Sequence, residues 1–402
     1  MPHTSTGAND SAAGRTDDRT GTEAAEQTAG NTAGHSAGHS AGHSAGHIDY
    51  SAFIGTRAVT DRQRVDVDAL TAWLTAHVDG FAGPLTLEQF AGGQSNPTFK
   101  LITPSHAYVM RTKPGPAAKL LPSAHAIERE YRVMDALGAT DVPVARMLAL
   151  CEDESVIGRA FYVMEYVAGR VLWDPSLPGM TRDERAAIFD EMNRVIAALH
   201  TVDPAAIGLA DYGKPGNYFA RQIGRWSKQY LASETEPIDA MQRLIDWLPQ
   251  HMPNESAERV SIVHGDFRLD NLIFDPHEPR VLAVLDWELS TLGEPLADFA
   301  YHCMAWHVDP TQFRGIAGLD WAALGIPDEA QYVARYCART GLEIRGDWNF
   351  YLAYNMFRIA AILQGIMKRV VDGTAASAQA LDAGRRARPM AELAWHYAQK
   401  VR

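Results

Sequence analysis

The chain has 402 residues, 46% of them hydrophobic, and a formal net charge of −12. Its length supports a substantial core and two or three structural units. An acidic chain without a clustered basic face is not expected to bind nucleic acid. No apolar run approaches the roughly 18 residues that span a bilayer, and the first residues lack the apolar core of a secretion signal. Three cysteines, odd in number and far apart, predict neither disulfides nor a metal site and favour the cytoplasm.

Residues 1–47 contain no Leu, Ile, Val, Phe, Tyr or Trp. Such a segment cannot bury enough apolar surface to offset the entropy of ordering it, so we predict a disordered tail. Its four-residue repeat carries His35, His39, His43 and His47. Histidines at this spacing share one face of a helix and would bind a metal there. The glycine in every repeat opposes a helix, which favours a flexible linker and leaves metal binding open.

The next segment, 48–168, is predicted to be a strand-rich first lobe. Apolar residues at helical spacing predict a helix over 67–78, and a second helix is predicted over 123–138, from Ser123 as N-cap to Gly138 as the stop. Short extended runs bounded by turn residues predict strands at 86–93, 97–104, 106–112, 144–151 and 159–167.

The remaining segment, 169–402, is predicted to be a larger, mostly helical lobe. Its first helix begins at Thr181, with Glu184 in capping-box spacing. Further helices are predicted at 217–231, 237–250, 294–306, 328–340, 347–370 and 376–400, and a strand island with a small hairpin at 261–264, 271–275 and 281–286. The fold class is therefore α+β and bilobal, and ligands commonly bind in the cleft of such a plan.

The stretch "HGDFRLDNLIFD" at 264–275 carries the chemistry. Asp266 and Asn271 have the D-x-x-x-x-N spacing of a kinase catalytic loop, in which the aspartate accepts the proton of the attacking hydroxyl and the asparagine holds magnesium. Alone, the pair would more readily indicate an ordinary turn. Asp286, however, follows the apolar run 281–285, and a carboxylate at the end of a buried strand is a suitable ligand for Mg²⁺.

Together, "IVHGDFRLDNLIFD", "VLAVLDWE" and "GEPLADFAYHC" resemble the signature of the aminoglycoside phosphotransferase family, the small-molecule branch of the protein-kinase-like fold. The resemblance covers about 50–390. More narrowly, "GGQSN", "LPSAHAIEREYRVMDAL" and "FRIAAILQGIMKR" resemble the phosphotransferase domain fused to acyl-CoA dehydrogenases in animals and its free-standing bacterial relatives. The resemblance implies a small β-rich N-lobe that binds the nucleotide and a helical C-lobe that holds the catalytic residues.

The family's roles transfer to matching positions of the C-lobe motif. The resemblance implies that Asp266 is the catalytic base and that Arg268 meets the transferring phosphate. It also implies that Asn271 and Asp286 are the magnesium ligands. Asp298, in "GEPLAD", is expected to order the catalytic loop rather than touch the substrate.

In the N-lobe the family places a cation on a strand and pairs it with a helix glutamate. The resemblance favours Arg111, in "YVMR", and Glu130. Lys113 points to the same face of a strand and stays open as the phosphate-binding cation, with Glu128 as a less favoured partner.

Two further segments complete the implied nucleotide site. A turn containing Gly93, Ser95 and Asn96 would lie over the phosphates, where small residues let backbone N–H groups approach. The end of the strand "VMEYV" would be the hinge between the lobes. Backbone groups of Glu165 and Val167 would bind the adenine there.

These observations predict an ATP- and Mg²⁺-dependent phosphotransferase that acts on a small-molecule hydroxyl. The narrower resemblance favours a hydroxyacyl acceptor, carried on coenzyme A or as a related hydroxy acid. Aminoglycoside phosphorylation, which needs an acidic substrate cleft, is one alternative. A nucleotide-binding pseudokinase is another, although the complete Asp266, Asn271 and Asp286 set argues against it. The acceptor, ATP versus GTP and the oligomeric state, with a homodimer among the options, stay open.

Overall fold

The computed structural model describes residues 54–91, 96–114, 126–214, 216–253, 260–375 and 379–402. The predicted tail over 1–47 lies outside these ranges, as do Gly93, Ser95 and Ser123. Within them, no helix combines the length and the apolar character needed to cross a membrane.

The first part of the chain forms a six-stranded antiparallel sheet with two helices. The strand order is β1-β2-β3-β4-β6-β5. The elements are β1 (Thr56–Arg57), α1 (Val67–His77), β2 (Thr86–Phe90), β3 (Thr98–Ile102), β4 (Ala107–Thr112), α2 (Ile127–Leu137), β5 (Met147–Cys151) and β6 (Phe161–Glu165).

Alternation along β4 decides what each face of this sheet covers. Tyr108 and Met110 belong to a core cluster with Leu70 of α1, whereas Val109 belongs to the cluster that contains α2. Successive side chains of a strand point to opposite faces. The side chain of Arg111 therefore lies on the α2 face, where it meets Glu130.

The second part of the chain is mainly helical. Its helices are α3 (Arg182–Thr201), α4 (Tyr218–Ser233), α5 (Asp239–Trp247), α6 (Pro295–Cys303), α7 (Trp321–Leu324), α8 (Glu329–Thr340), α9 (Trp348–Val371), α10 (Ala380–Arg385) and α11 (Ala387–Ala398). Its strands are β7 (Arg170–Val171), β8 (Ser261–Val263), β9 (Leu272–Phe274), β10 (Val281–Val284) and β11 (Thr291–Gly293). Helix α9, buried along most of its length, is the centre around which α4, α6, α10 and α11 pack.

Two small sheets carry the predicted catalytic segments. The hairpin β9–β10 adds β7 at its edge, and β8 pairs with β11. The predicted hairpin is confirmed. The strands β1, β7 and β11 were not predicted, since two- and three-residue strands carry almost no periodicity.

The observed helix ends agree with the sequence-based prediction at one helix and differ from it at two others. The capping box of Thr181 and Glu184 is present with both of its hydrogen bonds. Helix α2 begins at Ile127, four residues after the predicted start, and its N-cap residue Ala126 makes no side-chain hydrogen bond. The predicted helix over 376–400 is two helices, because Pro389 has no N–H to donate to the carbonyl one turn before it.

A buried histidine supports the loop that follows β8. His302 of α6 hydrogen bonds through Nε2 with the Tyr332 hydroxyl at 2.7 Å and faces the carbonyl of Phe267. Burial lowers the pKa of His302 to about 4. The imidazole is therefore neutral in the folded protein at neutral pH.

This burial predicts a pH-dependent stability. In the unfolded chain the histidine pKa is about 6.5, so the unfolded state binds a proton at a pH where the folded state does not. Stability should therefore fall as the pH drops from about 6.5 towards 4, by about 2 kcal/mol between pH 7 and pH 5 from this group. Urea unfolding of the wild type and His302→Gln across this range measures the difference. Equal pH slopes for the two proteins would contradict the prediction.

Candidate active site

A buried carboxylate holds the predicted catalytic loop. Asp298 of α6 accepts hydrogen bonds from the backbone N–H groups of His264 at 2.7 Å and Gly265 at 2.8 Å. His200 of α3 contacts the same carboxylate at 3.2 Å. Burial alone would raise the pKa of Asp298, but the hydrogen bond and charge of His200 lower it overall. The carboxylate therefore stays ionised and orders the loop.

The loop backbone is also restricted by close packing. Gly265 has a φ of 84°, and a Cβ there would lie 2.9 Å from the carbonyl oxygen of Leu289. Glycine alone satisfies both conditions without strain. The buried Arg358 of α9 donates to the carbonyl of Gly265 from the other side.

The side chain of Asp266 is held by two hydrogen bonds and one ion pair. Asn271 Nδ2 lies 3.1 Å from Asp266 Oδ2, and Arg268 Nη2 lies 3.3 Å from the same oxygen. The Tyr301 hydroxyl donates to Asp266 Oδ1. The predicted base and the predicted phosphate contact, Arg268, are thus brought together, and the carboxylate is held at a partly open surface.

His264 connects this loop to the hairpin. Its Nδ1 accepts the backbone N–H of Asp266 at 3.1 Å, so Nε2 carries the proton and donates to the carbonyl of Leu285 at 2.8 Å. The buried imidazole therefore connects two segments, and both of its nitrogens are engaged in these hydrogen bonds.

Asn271 and Asp286 lie at matching ends of the two hairpin strands. The Leu285 N–H donates to the Asn271 carbonyl at 2.8 Å, one residue before Asp286. Asp286 has a left-handed φ of 64°, which is uncommon outside glycine and clusters at functional sites. Because Asn271 turns its amide nitrogen to Asp266, its amide oxygen points away from that carboxylate.

Arg111 is the point where the two lobes meet electrostatically. Its guanidinium lies 2.9 Å from Glu130, 3.0 Å from Asp286 and 3.4 Å from Glu288. Burial alone would lower the pKa of Arg111, but Glu130 and Asp286 raise it overall, so the side chain stays charged. Glu288 did not emerge from the sequence as a member of this group.

Lys113 forms a separate pair. Its ammonium contacts Glu128, and both side chains are more than a quarter exposed, whereas Arg111 is 12% exposed. The two cation–glutamate pairs weighed from the sequence therefore coexist. Of the two, the Arg111 pair is the one that reaches the hairpin.

Three other residues predicted to bind the nucleotide, Asn96, Glu165 and Val167, lie within the described residues. Asn96 is buried and donates through Nδ2 to Glu130 at 2.8 Å, so it braces the glutamate. Glu165 ends β6, and its N–H donates to the carbonyl of Arg146 at 2.9 Å. Val167 follows in the connection to β7.

Helix α2 is fastened to the C-lobe beside Glu130. Arg129 donates to the carbonyl of Tyr212 at 2.8 Å and stacks over the Tyr212 ring at 4.2 Å. The Tyr212 hydroxyl hydrogen bonds with Ser290 at 2.6 Å. This contact fixes the helix that carries Glu130 relative to the segment that follows Asp286.

A small apolar pocket, with a volume of about 50 Å³, is lined in part by Arg268 and Tyr301, which both contact Asp266. It is lined by Trp173, Pro175, Phe189, Met192, Arg268, Leu269, Asp270, Tyr301, His302, Met304, Ala305, Trp306, Phe313 and Arg314. Asp270 is the one carboxylate among these described residues, and it forms ion pairs with Arg268 and Arg314. Arg314 has a left-handed φ of 37° and lies over the Trp173 ring at 5.5 Å.

Tyr301 and Arg314 were not identified from the sequence. For Tyr301 a signal existed, because it lies three residues after Asp298 and residues at that spacing share a helix face. For Arg314 there was none, since its contact with Asp270 joins segments 44 residues apart.

Comparison with known proteins places the chain. The profile of the phosphotransferase enzyme family matches residues 86–347. Acyl-CoA dehydrogenase family member 10 of Mus musculus is 49% identical over 349 residues, which cover 86% of this chain. The match takes in 32% of that relative, so this chain spans about a third of its length.

Two solved structures bear on the fold. A Ralstonia eutropha protein provisionally named an aminoglycoside phosphotransferase is 72% identical, with a TM-score of 0.78, and the match covers 84% of this chain and 100% of that one. Choline kinase from Cryptosporidium parvum has a TM-score of 0.57 at 13% identity, covering 83% and 95%. The predicted bilobal kinase-like fold is confirmed. The chain belongs to the phosphotransferase enzyme family.

Proposed function

We propose that this protein transfers the γ-phosphoryl group of ATP, with Mg²⁺, to a hydroxyl group of a small acyl molecule. The acceptor would be a hydroxyacyl group on coenzyme A or a related hydroxy acid. The observation that carries the proposal is the Asp266 carboxylate, held by Asn271 and Arg268 beside an apolar pocket.

The residues around Asp286 fit a magnesium ion. Asn271 and Asp286 offer an amide oxygen and a carboxylate, the hard oxygen ligands that Mg²⁺ prefers, and phosphates and waters complete such a site. Asp286 already faces a positive charge, that of Arg111. Bound Mg²⁺ would neutralise the phosphate charge that develops during transfer.

The protein's own groups supply the remaining chemistry. Asp266 would accept the proton of the acceptor hydroxyl as its oxygen bonds to phosphorus and the bond from phosphorus to the ADP oxygen breaks. Arg268, next to that carboxylate, would stabilise the negative charge on the transferring group. Arg111, kept charged by Glu130, would hold the nucleotide phosphates. The adenine would bind at the hinge through the backbone of Glu165 and Val167.

The pocket favours an acyl acceptor over an aminoglycoside. Aminoglycosides are polycations and need several unpaired carboxylates, but the one carboxylate among the described lining residues, Asp270, is paired with two arginines. An aromatic and aliphatic lining suits an acyl chain. The name of the Mus musculus relative points the same way, whereas that of the Ralstonia eutropha protein points to the aminoglycoside.

The role of Asp266 is tested by Asp266→Asn. Asparagine keeps the size of the side chain but cannot accept the hydroxyl proton, so kcat should fall by about 10²- to 10⁴-fold. Calorimetry should show nearly unchanged ATP binding, because the change leaves Arg111 and Asp286 in place. Activity close to that of the wild type would exclude Asp266 as the base.

The choice between the two N-lobe cations is tested by a matched pair of variants. Arg111→Gln should lower kcat/KM for ATP by about 100-fold, because it removes the buried cation that we propose holds the phosphates. Lys113→Gln, which removes a half-exposed ion pair, should change it less than about threefold. Thermal unfolding of both variants checks the fold. The reverse ranking would assign the phosphate contact to Lys113.

The acceptor class is tested with a panel of hydroxyacyl-CoAs, free hydroxy acids and kanamycin. We expect turnover of at least one acyl acceptor and none of kanamycin. Arg314 lines the pocket, and we propose that its guanidinium donates a hydrogen bond to the acceptor. Arg314→Gln would remove this charge-assisted hydrogen bond and should raise the acceptor KM about tenfold. Arg280→Gln, an exposed arginine outside the pocket, is the control. Turnover of kanamycin and of no acyl compound would overturn the proposed acceptor.

A further inference from the structure

Three side chains contact the Asp266 carboxylate, two through hydrogen bonds and one through an ion pair. A carboxylate has about four acceptor sites, two on each oxygen. On the Oδ2 side, Asn271 Nδ2 donates a hydrogen bond at 3.1 Å and Arg268 Nη2 forms an ion pair at 3.3 Å. The Tyr301 hydroxyl takes one site on Oδ1. Among the residues that the structure describes, Tyr301 is the one whose side chain donates to Oδ1, which leaves a second site on this oxygen for the hydroxyl that reacts.

Tyr301 is firmly placed. Its side chain is 4% exposed, and the Arg358 guanidinium lies 5.2 Å from the centre of its ring. Arg358 also donates to the carbonyl of Gly265, so the phenol and the loop backbone share one support. Burial and the charge of Asp266 hold the pKa of Tyr301 well above its usual range, so the phenol remains a donor.

The same ring forms part of the wall of the apolar pocket, next to Arg268. Tyr301 therefore contacts both the pocket and Asp266 Oδ1. We propose that Tyr301 is a positioning residue for the transfer reaction: its hydroxyl fills one site on Asp266 Oδ1, so that only the acceptor hydroxyl delivered from the pocket binds at the other. This inference rests on the proposed function.

Tyr301→Phe tests the proposal because it removes only the hydroxyl and leaves the ring against Arg358. In the variant both sites on Oδ1 are open, and a water molecule can take one of them. We expect kcat for transfer to fall about tenfold, with the KM for ATP changed less than twofold. We also expect ATP hydrolysis without acceptor to rise threefold or more. Tyr230→Phe removes the hydroxyl of a buried tyrosine on α4 that donates to Glu234, and this matched control should change neither rate.

The outcomes separate the two proposals. If the wild type phosphorylates a member of the acyl panel but Tyr301→Phe matches it in kcat and in ATP hydrolysis, the role of Tyr301 is wrong and the proposed function stands. Equal losses in Tyr301→Phe and Tyr230→Phe would likewise overturn it. If the wild type phosphorylates no panel member, the proposed acceptor is wrong. The rate of ATP hydrolysis without acceptor then tests the role of Tyr301. A threefold rise in Tyr301→Phe but not in Tyr230→Phe supports the role, and no rise in Tyr301→Phe overturns it.

Discussion

The ion that the rest of the site depends on is the buried carboxylate of Asp298. It accepts two consecutive backbone N–H groups of the loop after β8 and is held by His200. A buried anion is costly unless its hydrogen bonds are satisfied, so the arrangement tolerates little displacement of the loop. The fixed loop backbone in turn sets the backbone positions of Asp266, Arg268 and Asn271.

The second organising feature is the cluster around Arg111. A single buried cation contacts one carboxylate of the N-lobe and two that follow β10. Removing one partner of such a group leaves an uncompensated buried charge, which typically costs about 3–5 kcal/mol. The cluster is therefore both a contact between the lobes and a region of high charge density at the proposed nucleotide site.

The fold was predictable where local chemistry decides it. Alternation on β4, the capping box at Thr181 and the spacing of Asp266 from Asn271 are all short-range signals, and each appears in the structure. The predicted helix over 376–400 was wrong because one residue, Pro389, divides it. The contact of Arg314 with Asp270 was missed because it joins two distant segments. No periodicity in the sequence reports such contacts.

The pairing of β8 with β11, together with the His264 contact to Leu285, has a mechanical consequence. The segments that carry Asp266 and Asp286 belong to one framework within the C-lobe, so their separation does not depend on how far the cleft opens. Arg111 belongs to the other lobe. If the lobes were to part, Asp286 and Glu288 would both lose their contact with Arg111, and this guanidinium would no longer offset their negative charge. The two carboxylates would then attract a cation most strongly. On closure, the Arg111 guanidinium would compete with that cation for them.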